Sequence, residues 1–436
     1  PISYLFSMSR EMISITGMPY FPGVARGSLH RGLVGDVSQC IAMIEEGAFQ
    51  VPEQLPAGLI VVDSAPFSHR MIGLLGLGVP TVLVTAEQSA LWDRAEEIVI
   101  DGSSGLVTND LQHATVKERA GRESTGSRQM ADGEPIHLLA SVRHTQAASQ
   151  ALAVGAESIG LVRSEFLQPD DGSLPDKAYY LEAFRAIAES ASGLTVSVRL
   201  LDVAVDKLPA WLPPDPGAGQ ALGLQGTRLY STEPVAKVVN AQLAALSELA
   251  GQYSLRVIVP FIVRLEEYEF WLARVRERLP DKLPVGVMAE TPASVLDIDL
   301  LLNNADFVAI GCNDLMQSVF AADRDIAELR HYLDPYAPVL FRLFRQIAGR
   351  AGLKLAQVQL CGLLPQMQGV LPVLLGLGYR SFSVDAPFIP HLSSVASSLN
   401  RAECQDLASR VCEARTTLDV LQILQLPMER HPPFLN

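Results

Sequence analysis

The stretches VGVMAETPAS (Val285–Ser294) and FVAIGCNDLMQSVFAADR (Phe307–Arg324) decide how this chain is to be read. Each opens with a short apolar run that leads into a carboxylate, Glu290 in the first and Asp314 in the second, and Arg324 follows ten residues after Asp314. Thr291-Pro292 has the form of a helix N-cap followed by proline at the first helical position, so Glu290 is predicted where a buried strand hands over to a helix. The same reading puts Asn313 and Asp314 just beyond the strand Phe307–Gly311. Both acids then lie at one end of a parallel sheet, the end that carries the chemistry in α/β folds. A metal site beside an anion site is the expectation.

Working outward, short apolar runs alternate with amphipathic stretches from about Pro135 onward. The runs Ile136–Val142, Ile159–Arg163, Thr195–Arg199, Leu255–Ile262, Val285–Glu290, Phe307–Gly311, Val358–Cys361 and Ser381–Val384 make eight predicted strands. Between them, Thr232–Ala250 reads as a helix, because Val235, Val238, Val239, Leu243, Leu246 and Leu249 share one face at the 3.6-residue period. Eight strands with intervening helices predict a (β/α)8 TIM barrel over residues 135–436. Lys207–Leu229 carries four prolines early and four glycines later and is too long for a plain connection, so it reads as an active-site loop region. The tail Asn400–Leu424 reads as helical, with Leu407, Val411, Leu418 and Leu421 on its packing face.

Residues 1–111 have a different texture, opening with GMPYFPGVARGSL (Gly17–Leu29) and passing through the β-like run Leu59–Val62. They predict a small β/α domain. Residues 112–134 are polar, charged and poor in large apolar side chains, which is the composition of a linker.

Composition narrows the function. With 436 residues of which 48% are apolar, the chain is long enough for two domains with a sizeable core. A net charge of -14 without a Lys/Arg cluster argues against nucleic acid or anionic lipid as a main partner. The five cysteines are scattered and odd in number, the pattern of a reducing, cytoplasmic setting without disulfides. No apolar run reaches the roughly 20 residues that a bilayer demands, and Arg10-Glu11 interrupts the place of a secretory apolar segment, so neither membrane span nor signal peptide is expected.

Within the predicted barrel, polar residues recur at strand ends: Arg163, Arg199, Glu290, Asn313-Asp314 and Cys361. Two carboxylates suit Mg2+, which takes oxygen ligands and keeps several waters. Arginines bring bidentate donors matched to phosphate and carboxylate. Any one of these residues alone reads equally well as an ion pair or a helix cap, and Cys361 as a buried core thiol; the set together points to a multiply charged anion bound beside a metal.

These motifs resemble the phosphoenolpyruvate-utilising family, which includes enzyme I of the sugar phosphotransferase system, phosphoenolpyruvate synthase and pyruvate phosphate dikinase. The resemblance rests on LVRSEF (Leu161–Phe166), VRLLD (Val198–Asp202), GVMAETPAS (Gly286–Ser294), GCNDLMQ with the following Asp323-Arg324, and Cys361-Gly362, in the family's order. It implies that Glu290 and Asp314 hold Mg2+, that Arg163, Arg199, Arg228 and Arg324 grip phosphoenolpyruvate with help from Asn313, and that Cys361 protonates the enolate to pyruvate. It also implies that residues 1–111 are a swivelling phosphohistidine-like domain whose His69, in SAPFSHRMIGLLGLGVP (Ser64–Pro80), takes the phosphoryl group. Imidazole suits that role, being a neutral nucleophile near pH 7. The remaining histidines stand in no such context. A homodimer, and a phosphoryl-acceptor protein or separate nucleotide-binding subunit as partner, follow from the same resemblance.

The chain departs from the family at several positions. Ser64-Ala65-Pro66-Phe67 stands where a glycine pair and a threonine are usual, and phenylalanine cannot donate threonine's hydrogen bond. The span from Phe21 to His69 is shorter than in enzyme I, Gln225 replaces an arginine, and Leu363 stands where enzyme I has glutamate. Three readings therefore remain open from sequence: a phosphotransferase using His69, a catalytically degenerate phosphoenolpyruvate- or pyruvate-binding regulator, and an enolate-forming lyase or mutase on the same barrel.

Overall fold

The computed structural model describes residues 12–48, 54–92, 97–112, 128–203, 208–212 and 223–427. Most of the expected linker, at 113–127, and part of the loop region Lys207–Leu229, at 207 and 213–222, lie outside them, as do His113 and His431. The chain divides into two compact units, Pro1–Pro66 with Gly73–Glu123 and Phe67–Ile72 with Ser124–Asn436.

The first unit is built on one mixed sheet. Its strands are β1 (Ser14–Thr16), β2 (Met18–Phe21), β3 (Val24–Arg31), β4 (Cys40–Glu45), β5 (Gly58–Val62), β6 (Thr81–Val84), β7 (Ile98–Asp101) and β8 (Leu106–Thr108). They lie in the order β1-β8-β7-β3-β4-β5-β6-β2. Neighbours from β3 to β6 run parallel, and β7, β8, β1 and β2 pair antiparallel at the flanks. The central strands are near-continuous apolar runs, as burial on both faces requires: every residue of β5 and β6 is buried. Ile41, Met43, Ile60, Val82, Trp92 and Ile100 form the core. After β5, the Ser68 hydroxyl accepts the Met71 N–H at 3.2 Å and so caps the helix His69–Leu75.

The second unit is a closed parallel barrel. Its strands are β9 (His137–Val142), β10 (Ser158–Arg163), β11 (Thr195–Arg199), β12 (Leu255–Ile262), β13 (Val285–Ala289), β14 (Val308–Gly311), β15 (Val358–Cys361) and β16 (Ser381–Asp385), and β16 pairs with β9 to close the ring. Each of the eight predicted runs is one of these strands, with ends moved by a residue at most. Closure with every strand parallel buries both faces of the sheet, which is why runs such as Val285–Ala289 and Val308–Gly311 are apolar throughout rather than alternating.

Two helices differ from expectation. The helix over Val235–Leu249 buries the predicted face, but begins three residues late because Glu233 precedes Pro234 and Thr232 Oγ1 turns back to the Leu229 carbonyl at 2.7 Å. The tail is two helices, Arg401–Glu413 and Thr417–Ile423. Thr416 and Asp419 form a reciprocal capping box that starts the second and breaks the run. The first packs through Cys404, Ala408, Val411 and Cys412, leaving Leu407 half-buried. Among the described residues no helix is long and apolar enough to cross a membrane.

Candidate functional site

Strand ends bring the charged residues together. A cavity at the C-terminal ends of the barrel strands is lined by Arg143, Arg163, Arg199, Glu290, Asn313, Asp314, Arg324, Cys361 and Asp385, among others. Glu290 follows β13 directly, and Asn313 and Asp314 occupy the first turn of the helix Cys312–Phe320 that follows β14.

Glu290 is 1% exposed. Its Oε1 accepts the Phe261 N–H at 2.8 Å, while Oε2 is buried and has no donor among the described residues. Burial pushes its carboxyl well above the usual carboxylate range, and the charges of Asp314 and Asp202 add to this against Arg199 and the Phe261 N–H. Room for the side chain comes from Gly311, where a Cβ would stand 2.5 Å from Glu290 Oε2. Phe261 itself is held at φ +49°, a conformation that disfavours a side chain.

The arginines are held in place by carboxylates. Glu165, in the turn Ser164–Phe166 after β10, accepts from Arg163 Nε at 3.0 Å and from Arg199 Nη2 at 2.6 Å through the same Oε1. Asp202 takes Arg199 Nη1 at 2.9 Å. Burial works against the Arg199 charge, yet Asp202, Glu165, Glu290 and Asp314 together raise its pKa above the ordinary value, so it stays cationic. The Arg163 guanidinium lies 4.8 Å from the centre of the Phe166 ring. Arg324, 3% exposed, pairs with Asp314 at 3.0 Å. Asn313 Oδ1 accepts the Leu363 N–H at 3.0 Å, fixing the turn that carries Cys361-Gly362.

Cys361 is 2% exposed, and Gln359 Nε2 donates to its sulfur at 3.4 Å. Burial pushes the thiol up to about 11. The group is therefore a thiol, not a thiolate, at neutral pH. Its alkylation by iodoacetamide, followed by peptide-resolved mass spectrometry, is expected to accelerate about tenfold per pH unit from neutrality up to about pH 10. A rate that levels off near the ordinary thiol value of about 8.5 would contradict this environment.

The structure gathers Arg163, Arg199, Glu290, Asn313, Asp314, Arg324 and Cys361 at one cavity and leaves Arg228 outside it. Arg228 is exposed, donating Nη1 to the Gly223 carbonyl at 3.0 Å, with its guanidinium 5.1 Å from the centre of the Phe261 ring. Nothing is described of the His69 side chain. Sequence reasoning missed Arg143 and Asp385, which approach to 3.9 Å. Both stand at strand ends, the signal that flagged Arg163 and Arg199. It also assigned no role to Glu165 and Asp202, although their spacings of two from Arg163 and three from Arg199 put acid beside base.

Residues 117–401 match the family described as PEP-utilising enzyme, PEP-binding domain. The chain is 30% identical over 393 residues to multiphosphoryl transfer protein 2 of Escherichia coli, an overlap of 84% of this chain and 47% of that protein. It is 30% identical over 391 residues to the phosphoenolpyruvate-protein phosphotransferase of Haloferax volcanii, covering 86% of this chain and 69% of that one. With the phosphotransferase of the same name from Bacillus subtilis the identity is 27% over 381 residues, covering 82% and 66%. The chain thus spans about half the length of the first relative and about two thirds of the other two.

Proposed function

We propose, from the premise that this chain belongs to the PEP-utilising enzymes, that its barrel binds phosphoenolpyruvate with Mg2+ and passes the phosphoryl group to His69, releasing pyruvate. The observation that carries this reading is the pairing of a buried, donorless Glu290 Oε2 with Asp314 and four cavity-lining arginines.

The residues fit the metal. Among the described residues no group of three or more His, Cys, Asp and Glu side chains forms a cage, and Mg2+ is commonly held by one or two carboxylates, with water and substrate oxygens completing its shell. Glu290 and Asp314 repel one another in a buried setting, which a dication offsets. Bound there, Mg2+ would neutralise charge on the phosphoryl oxygens and the enolate. The rest falls to side chains. Arg163, Arg199 and Arg324 would grip the phosphoryl group, with Asn313 adding a hydrogen bond and Arg228 reaching in from the loop. Arg199 brings an Nε that has no acceptor among the described residues. Phosphoryl transfer is largely positioning and charge stabilisation, and arginines locked by Glu165 and Asp202 supply both.

Loss of the phosphoryl group leaves an enolate whose methylene carbon takes the Cys361 proton: the S–H bond breaks, a C–H bond forms, and solvent reprotonates the thiolate. A thiol with its pKa near 11 still holds that proton at neutral pH. The imidazole of His69 forms the new P–N bond as the P–O bond of phosphoenolpyruvate breaks, and the oxygen and its electron pair leave with the enolate. In this reading residues 1–111 are the swivelling phosphohistidine domain and 112–134 its linker. A protein would be the next acceptor, as the relatives' names imply, with the chain working as a homodimer in the cytoplasm. The regulatory and enolate-lyase readings are not favoured, because relatives over most of this chain are named for phosphoryl transfer.

Intact-protein mass spectrometry after incubation with phosphoenolpyruvate and Mg2+, under non-acidic conditions, tests the proposal. A phosphate-sized mass gain is expected in the parent and not in His69→Ala. Binding of phosphoenolpyruvate without any gain would sink transfer to His69.

A further inference from the structure

The barrel has a second cavity, of about 250 Å³, at its N-terminal mouth, where His137, Glu157, Ser158, Arg256, Phe307 and Gln359 line it at or beside strand starts. That volume holds about eight waters at ~30 Å³ each, or one small metabolite. Arg256 projects into it without a counter-ion. Its Nε and Nη2 donate to Ser197 Oγ at 3.0 and 2.9 Å, Nη2 also to Gln359 Oε1 at 3.2 Å, and the guanidinium lies 4.0 Å from the centre of the Phe307 ring. All these partners are neutral. Among the described residues no carboxylate stands within ion-pair distance of Arg256, and its Nη1 makes no hydrogen bond. Burial pulls its pKa below the ordinary value, with Cys361 opposing. A half-buried guanidinium that faces a cavity with no acid beside it is a ready seat for an anion.

Glu157 lines the same cavity. Its Oε2 meets His137 Nδ1 at 2.8 Å, while Oε1 is buried and has no donor among the described residues. Arg256 thus faces the cavity without an acid partner, and Glu157, part-exposed on the same wall, brings a carboxylate. A simple anion would satisfy the first and be repelled by the second.

We propose that the N-terminal mouth of the barrel is a binding site for a free α-amino acid, with the ligand's carboxylate on Arg256 and its ammonium on Glu157. Such a zwitterion sets a carboxylate on the guanidinium and an ammonium beside the Glu157 carboxylate. The planar fork of Arg256 suits a carboxylate. The site is separate from the catalytic face, yet Gln359 touches both: it accepts from Arg256, and its Nε2 donates to Cys361 Sγ at 3.4 Å and to the Gly160 carbonyl at 2.9 Å. That placement makes the ligand an effector rather than a substrate.

The experiment is a thermal-shift screen of the full chain against the standard amino acids at millimolar concentration, followed by calorimetry on the best of them. At least one is expected to bind with Kd below about 1 mM. Its deaminated and decarboxylated analogues are each expected to bind at least about tenfold more weakly, a difference of ~1.4 kcal/mol. Arg256→Met and Glu157→Gln should each weaken binding to a similar degree, and Glu290→Gln, at the other mouth, should leave it unchanged. If Arg256→Met does not fold, Glu157→Gln decides alone. The proposal is overturned if no amino acid binds, if acetate or inorganic phosphate binds as tightly as the best amino acid, or if Glu157→Gln has no effect.

Discussion

Replacing Arg199 by methionine is expected to lower pyruvate release from phosphoenolpyruvate by about 10³-fold or more, the scale of a transition-state arginine in phosphoryl transfer. The same change should also destabilise the barrel. Arg199 is 3% exposed and pairs with Glu165 and Asp202, so its loss takes a cation from two buried carboxylates, of which Glu165 keeps Arg163. Breaking a buried ion pair from one side costs about 3–5 kcal/mol. Two measurements separate the effects: a coupled assay that follows pyruvate, and a urea titration of the barrel transition. Arg199→Lys divides them further. A lysine can keep one carboxylate neutral, but its point charge cannot serve two acids and a phosphate together, so stability should return in part and the rate should not. A rate for Arg199→Met within tenfold of the parent would remove this residue from the proposed chemistry.

Glu290→Gln is expected to move stability and activity in opposite directions. The amide keeps an oxygen for the Phe261 N–H, so the local hydrogen bond survives. It removes a buried charge that Asp314 and Asp202 repel. In metal-free buffer the gain should be about 0.5–2 kcal/mol, the usual scale for relieving a destabilised active site, and therefore a rise of a few degrees in Tm at ~2–4 °C per kcal/mol. Turnover should fall by at least about 10²–10³-fold, as for loss of one preorganised group at a site of charge development. Scanning calorimetry and the pyruvate assay read the two arms. A lower Tm with unchanged turnover would mean that Glu290 is a structural acid.

The barrel was legible in the sequence because its strands are buried on both faces. Val285–Ala289 and Val308–Gly311 are apolar from end to end, Val358–Cys361 is interrupted only by Gln359, and Glu290 marks the end of the first. Thr291-Pro292 announced the helix after Glu290 for the same local reason. Side-chain pairing was less legible. That Glu165 Oε1 serves two arginines depends on β10 and β11 lying side by side in register, which no single stretch encodes. Motif position names Arg228 at the anion, while what it rests on here, a carbonyl and a ring, could not be read from the sequence. The break at Thr416 was readable in retrospect from the Thr416/Asp419 spacing, though an apolar period running across it hid the cap. Nothing local foretold the second cavity, because Arg256 sits inside a strand that reads as core.

Phe261 carries a consequence of its own. Glycine at this position would accept φ +49° without penalty, while phenylalanine in the left-handed region bears a strain of order 1–3 kcal/mol. What the benzyl group adds is mechanical: one residue fastens a loop cation by its ring and a buried acid by its amide. The donor that aims Glu290 and the ring under Arg228 thus belong to the same residue. The arrangement is a short link, one residue long, between the rim of the barrel and a carboxylate too deeply buried for solvent to reach.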